Sequence, residues 1–382
     1  MKRANAGLLV LALIVLACGA PPTAGSPGAP GASAIASQPP ASGTAASPSG
    51  QTEAEKVYAK LGPGSGAERL LEAAKAEGEL TLYTSMTSDV IAAVSGAFTD
   101  KYGIDVNVYR AGSETVLQRV DQEQKANFQG GNDVVETNFL EMFEMSQLGY
   151  LSPFPGDAKK AVVQAGQFDN WTATRFNNFV VSWNTNLVPA GQEPKSWEDL
   201  ADPKWKGKIS MEAGDFDWFL SLWSYWKEQG KTDDEIGAIF KGIASNSLIV
   251  TGLSVQGELL AAGEFSVAVS NYSYLVERVR KAGGPVAWKP TVQPVIARPN
   301  GVGLMRTASH PAAALLFTDW LLTDGQKVIA EQGLTPSTPV AGDDQLAGLK
   351  IIPVDIDAIA TDAKKWEDMY DELLKAGTQK SG

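Results

Sequence analysis

The chain has 382 residues, 44% hydrophobic and 20% charged, enough apolar material for a large core in more than one domain. Its formal net charge of -12 implies no basic surface and argues against a nucleic-acid role. One cysteine excludes an intramolecular disulfide or a cysteine-clustered zinc site, and one histidine, His310, leaves little room for triad chemistry. The 10 tryptophans read first as core and surface aromatics and second as flat contacts in a cleft.

Residues 1–18 read as a targeting segment. Lys2 and Arg3 are its positive end, and the apolar run from Leu8 to Ala17 is too short for a membrane span of about 20 residues. Val15-Leu16-Ala17-Cys18-Gly19 resembles the bacterial lipobox, which implies lipidation of Cys18 after cleavage. Residues 19–52 are rich in Pro, Ser, Gly and Ala and contain no charged residue, so they read as a disordered tether. From Glu53 to Gly78 the spacing of Leu70, Leu71, Ala74 and Ala76 predicts a helical lead-in. The glycines of LGPGSG have neither a preceding strand nor a following Gly-Lys-Ser/Thr, and they form a linker rather than a phosphate loop.

Leu80 and Leu82 alternate with Thr81 and Tyr83, predicting a strand, and Val90, Ile91, Val94 and Phe98 recur at helical spacing. Ile104, Val106 and Val108 alternate again, before a second helix carrying Val116, Leu117 and Val120. A third apolar run ends at Glu136-Thr137-Asn138. Strand, helix, strand, helix with short connections implies parallel strands and right-handed crossovers. In such a sheet, ligands bind at the polar turns beyond the strands' carboxyl ends.

Further on, FVVSWNTNLVP reads as a buried strand, and Ser196 and Asp202-Pro203 mark a helix start and a turn before a strand at Lys208. DFDWFLSLWSYWKEQG reads as an aromatic helix, and Thr232 with Glu235 has the spacing of a capping box for the next. A helix, a buried strand, a polar turn and another helix follow to Gly283. The Pro-punctuated segment from Gly284 to Met305 is extended and suits a crossing between two halves. His310 and Pro311 start a long amphipathic helix, His310 serving as cap or surface residue, and a last helix spans about Asp357 to Ala376.

Taken in order, ELTLYTSM, YGIDVNVYRAGSETVLQRV, DVVETN, VVSWNTNLVP, PKSWEDLADPKWKGKI, AAGEFSVAVSNYSY and SHPAAALLFTDWLLTDGQ resemble the solute-binding proteins of ABC importers. The resemblance is to the family-1, ferric-iron-type periplasmic binding proteins. It implies an α/β, two-lobed type II fold, with a cleft between lobes joined by crossing strands, hinge closure, docking on an ABC permease with its ATPase subunits, and no catalysis. By that likeness one lobe takes residues 53–175 and 288–345, and the other takes 176–287 and 346–376. The protein is then exported, lipid-anchored at the outer face of the cytoplasmic membrane or in the periplasm, and monomeric.

The same resemblance puts Thr84, Ser85, Ser113, Glu136 and Asn138 on one jaw of the cleft, and Asp215, Asp217, Ser254, Tyr272 and Tyr274 on the other. Iron-binding relatives present adjacent tyrosines, whereas here Ser273 separates Tyr272 from Tyr274. In an extended segment the two tyrosines point the same way, and in a helix they diverge. Two ligand classes stay open: Fe³⁺ held by Tyr272, Tyr274 and Glu136 as transported cargo, or an organic or oxyanion solute such as a phosphonate, polyamine or thiamine-like cation. No cofactor is implied. A sensory protein feeding a membrane receptor would share this chemistry. Asp215 and Asp217 also permit an acid–base reading, but two residues apart they do not face each other across a substrate, and the enzyme reading is set aside.

Overall fold

The computed structural model describes residues 50–62, 66–128, 130–342 and 346–379. The leader 1–18 with Cys18, and the tether up to residue 49, lie outside the described residues. The lead-in is two helices, α1 (Glu53–Leu61) and α2 (Ala67–Glu77). Thr52 and Glu55 cap α1 reciprocally in a capping box. Gly78 ends α2 in the left-handed region at φ 78°, where a residue without Cβ is unstrained.

The predicted crossovers follow: β1 (Glu79–Thr84), α3 (Ser88–Tyr102), β2 (Asp105–Arg110), α4 (Ser113–Lys125), β3 (Val134–Asn138) and α5 (Phe139–Gln147). β1 pairs in parallel with β2 on one side and β3 on the other. After the short β4 (Leu151–Ser152) comes β5 (Thr172–Asn184), buried along its whole length. The strand begins within the polar TATRFNN, ahead of the apolar run that marked it in the sequence.

The second half repeats the scheme with β6 (Ile209–Glu212), α6 (Phe216–Glu228), α7 (Asp233–Asn246), β7 (Ser247–Val250), α8 (Leu253–Ala262), β8 (Val267–Tyr272) and α9 (Ser273–Lys281). Thr232 and Glu235 do form a capping box on α7. The chain returns through β9 (Val286–Ala287) and β10 (Val295–Met305), continues in α10 (Pro311–Leu322), α11 (Gly325–Glu331), β11 (Thr335–Pro336) and β12 (Ile351–Pro353), and ends in α12 (Ile356–Leu374) and β13 (Thr378–Gln379).

The principal strand order is β13-β7-β6-β8-β5-β10-β3-β1-β2. β5 and β10 lie side by side and antiparallel at the centre, from Ile296 opposite Phe179 to Val302 opposite Thr172. Each therefore leads from one half of the sheet into the other. Both strands are buried throughout, as expected when layers cover both faces of a sheet.

One expectation needs correction. The helix after His310 is neither single nor amphipathic: it breaks between Leu322 and Gly325, and α10 is buried on nearly all sides. Helices α1 and α2 pack over it, so it has no solvent face and its sequence is apolar all round. Of the two readings of the tryptophans, the first agrees with the structure: they pack mainly in the core. Trp197, Trp218 and Trp288 are fully buried, and Trp223 stacks on Phe240 at 6.1 Å beside Phe219, Trp366 and Tyr370.

A register shift between Asn300 and Gly301 interrupts the β5–β10 ladder, and there the Trp171 ring lies against the glycine backbone. A Cβ at 301 would overlap the Trp171 ring and approach the Thr172 carbonyl at 3.1 Å. Gly301→Ala should lose about 1–3 kcal/mol through overpacking, read as a lower urea midpoint with an unchanged slope.

Candidate functional site

The antiparallel register of the crossing strands builds the floor of a cleft. Arg175 and Asn177 alternate onto one face of β5, and opposite them on β10 stand Asn300 and Arg298. Arg175, Asn177 and Arg298 line a cavity of about 260 Å³ whose walls are the strand-to-helix turns of both halves. That volume lies just below the range of about 300–1,000 Å³ typical of small-molecule sites.

Each floor arginine is tethered from behind. Arg175 pairs with Glu136 of β3, whose carboxylate also accepts from the hydroxyls of Thr84 at 2.8 Å and Thr174 at 3.1 Å. Arg298 donates to Asp217 of α6 at 3.1 Å, and its guanidinium lies over the rings of Phe179 and Tyr272 at 5.2 and 5.1 Å. Burial by itself would lower the pKa of Arg298, but Asp217 and Asp215 more than offset it and the group is held above its ordinary value. Arg298 is thus a buried, permanent cation facing the cleft.

The first half contributes Ser85, Met86 and Thr87 from the β1–α3 turn, Arg110 and Ser113 around the β2–α4 turn, and Asn138 at the start of α5. Arg110 is exposed, and its Nε donates to the Met86 carbonyl at 3.0 Å, which joins two of these turns. Helices α3, α4, α5, α8 and α9 start at Thr87, Gly112, Asn138, Gly252 and Tyr272 without a side-chain cap on their first amides. Such helix starts carry partial positive charge. The second half contributes Leu253, Ser254, Tyr272 and Tyr274. Helix α9 begins at Ser273, yet the two tyrosine rings do not diverge: they stack at 5.8 Å and 18°. Burial pushes the Tyr274 phenol above its ordinary pKa, while Arg175 and Arg278 pull the other way, so Tyr274 stays a neutral phenol.

Among the sequence candidates, Ser85, Ser113, Asn138, Ser254, Tyr272 and Tyr274 therefore surround one cavity. Four others do not reach it. Thr84 is fully buried and bonded to Glu136 and to the Met86 amide. Glu136 is also fully buried and its oxygens are engaged, so the expected metal set of Tyr272, Tyr274 and Glu136 is not assembled. Asp217 is occupied by Arg298, and Asp215 accepts from the Ser270 hydroxyl of β8 at 2.7 Å. Burial, then Glu212 and Asp217, raises the Asp215 carboxyl well above its usual range. The helix start falls at Asp215, and Asp217 lies inside the first turn of α6. No carboxylate lines the cavity, and among the described residues no cluster of three His, Cys, Asp or Glu is suited to a metal. The decisive residues absent from the sequence reading are Arg110, Arg175, Asn177 and Arg298. Their one visible signal is a charged or amide side chain within a stretch extended enough to be a central strand or its end.

The family model for bacterial extracellular solute-binding proteins matches residues 129–362. The chain belongs to that family. It is a binding protein for transport rather than an enzyme, and membership implies export. Iron uptake protein A1 of Synechocystis is 23% identical over 275 residues, covering 66% of this chain and 74% of that protein. The structure of AfuA from Actinobacillus pleuropneumoniae, with exogenous fructose-6-phosphate bound, superposes with a TM-score of 0.65 at 20% identity, over 78% of this chain and 99% of AfuA. The Trichodesmium protein FutA, in complex with iron and citrate, gives 0.61 at 21% identity over 78% and 99%. The fold of this solute-binding protein is thus the type II periplasmic one.

One acidic group of the binding protein is poised near neutrality. Glu141, in the first turn of α5, has a buried Oε2 without a hydrogen-bond partner. Burial raises its pKa to about 7, with its own amide and Arg298 opposing and Glu114 and Asp217 adding. A raised carboxyl contributes stability that is full below the unfolded value of about 4.3 and is lost as pH rises through about 7. Glu141→Gln should therefore match the natural protein in stability near pH 4 and exceed it at pH 8 by about 3 kcal/mol, measured by urea unfolding across that range.

Proposed function

We propose that this protein captures a small organic anion in its arginine-lined cleft and delivers it to an ABC importer. One observation carries this reading: three guanidinium groups, from Arg110, Arg175 and Arg298, face a cavity lined otherwise by hydroxyls, amides and apolar side chains, with no carboxylate. Charge-assisted bonds from guanidinium groups suit phosphate and carboxylate oxygens. Uncapped helix starts add partial positive charge of the same sense. A bare Fe³⁺ ion in this place would meet three cations and a neutral Tyr274 phenol, without the opposing carboxylate that Glu136 was expected to supply. Polyamines and thiamine-like cations are disfavoured for the same reason.

The comparisons are compatible with this reading, since AfuA holds a sugar phosphate and FutA of Trichodesmium holds iron together with citrate. Iron therefore enters the proposal as an anionic chelate rather than as a naked ion. The lobes we propose are residues 53–175 with 288–345, and 176–287 with 346–376, hinged on β5 and β10. This is supported by the position of those two strands at the centre of the sheet and by the packing of α12 on α6 and α7.

A thermal-shift panel tests the ligand class. Fructose 6-phosphate, a phosphonate or ferric citrate at about 100 times its Kd should stabilise the fold by about 2.7 kcal/mol, while spermidine and thiamine should not. Arg110→Ala should weaken the bound anion by about tenfold or more, with only the small fall in ligand-free melting temperature that loss of its bond to the Met86 carbonyl brings. Stabilisation by Fe³⁺ alone, with a visible ferric-phenolate band, would overturn the reading.

We further propose that Cys18 carries a lipid anchor and that the stretch from Gly19 to residue 52 is the leash. The support is the lipobox-like Val15-Leu16-Ala17-Cys18 placed directly after an apolar leader. Cys18→Ser should move the exported protein from the membrane fraction to the soluble fraction on cell fractionation.

A further inference from the structure

Helix α9 lays one stripe of side chains against the first half of the molecule. Tyr274, Arg278 and Lys281 follow at i, i+4 and i+7, which puts them on one face. Both ends of the stripe meet that half. The Tyr274 ring packs on the apolar cluster that contains Met86, Val90 and Leu334, and the Lys281 ammonium lies 3.8 Å from where a Cβ on Gly333 would stand. Arg278, between them, faces the same way.

The first turn of α3 is what lies opposite. Helix α3 packs on α11, the helix that ends just before Gly333. Asp89 stands in that first turn, flanked by the cavity residues Thr87 and Val90. Asp89 and Arg278 are both exposed, and neither lines the cavity. Among the described residues neither takes part in an ion pair, whereas Arg280 on the same helix pairs with Glu277 at 2.6 Å. The two charges nevertheless feel each other. A hydrogen bond from Thr87 does most to hold the Asp89 carboxyl below its ordinary pKa, burial opposes it, and its own amide, that of Val90 and the charge of Arg278 lower it further.

We infer, on the lobe division proposed above, that Asp89 and Arg278 are a clasp at the rim of the cleft, an ion pair made when the lobes close over a solute and broken to release it. Asp89 belongs to the lobe of residues 53–175 and Arg278 to that of 176–287. Their attraction strengthens as closure shortens the gap and removes water from it. Because neither residue touches the cavity, the clasp sets how long a solute stays rather than which solute enters.

Charge reversal in the full chain tests the energetics, with release of labelled fructose 6-phosphate or ferric citrate followed in a chase experiment. Asp89→Arg and Arg278→Asp should each speed release by about fivefold or more, and the double reversal should return it to within about twofold of the natural rate. Opposite effects of the two single reversals, the mark of a field acting on the anion, overturn the clasp, as does no effect of either. A second arm needs no bound solute. Asp89→Cys with Arg278→Cys in a Cys18→Ser chain leaves these two thiols alone in the molecule, and mild oxidation joins them only where their Cα atoms come within about 7 Å. The disulfide should form without solute and faster with one bound. No disulfide in either condition overturns the clasp and leaves the lobe division standing, whereas one rate with and without a bound solute overturns hinged closure and the clasp with it.

Discussion

Two buried ion pairs fix both the charge of the cleft and the connection between the halves of the molecule. Glu136 on β3 holds Arg175 on the neighbouring part of the sheet, and Asp217 on α6 holds Arg298 on β10. Both carboxylates are fully buried. Taking such charges out of water is expensive, and removing one partner of a buried pair typically costs about 3–5 kcal/mol. What the pairs secure is position. Each carboxylate anchors its arginine, so each guanidinium is held in place where its residue lines the cavity, on the strands between the two halves. The aromatic rings of Phe179 and Tyr272 clamp Arg298 further. Donors held this way need little reorganisation when an anion arrives.

The surrounding turns add to the same field. Side-chain caps stand on three helices away from the cleft, Thr52 on α1, Thr232 on α7 and Asp355 on α12, whereas α2, α6, α10 and α11 start without one. The helices whose starts line the cleft have no side-chain cap either, and such starts carry partial positive charge. On the second half, Glu212 accepts from the amides of Gly214 and Gly252 at 2.5 and 2.8 Å, which stiffens two turns but consumes their donors. The first half and the crossing strands therefore carry most of the positive field, and the second half offers the stacked tyrosines and a hydroxyl. The same type II scaffold holds iron in some members and a sugar phosphate in another. Here as elsewhere, the ligand is decided by the residues on the turns and floor, not by the fold.

Much of this architecture is legible in the order of residues. Alternation in ELTLYT and in IDVNV, helical spacing after each, the capping box at Thr232 and the apolar leader ending at Cys18 are local patterns, and local patterns follow from the periods of strand and helix. They determine an α/β chain with polar turns at one sheet edge, and the family resemblance then assigns Ser85, Ser113, Asn138, Ser254, Tyr272 and Tyr274 to the cleft. What the sequence does not contain is who stands behind whom. Glu136, Asp215 and Asp217 are expected as ligands because the family resemblance implies a carboxylate opposite the tyrosines. Only the tertiary structure turns them inward onto Arg175, Arg298 and Ser270. Arg298 and Asn177 are separated by more than a hundred positions and meet only through the antiparallel register of two central strands. The sign of the cleft follows from that register, since pairing across a sheet is non-local and a carboxylate matched from behind leaves its arginine as the charge the ligand meets.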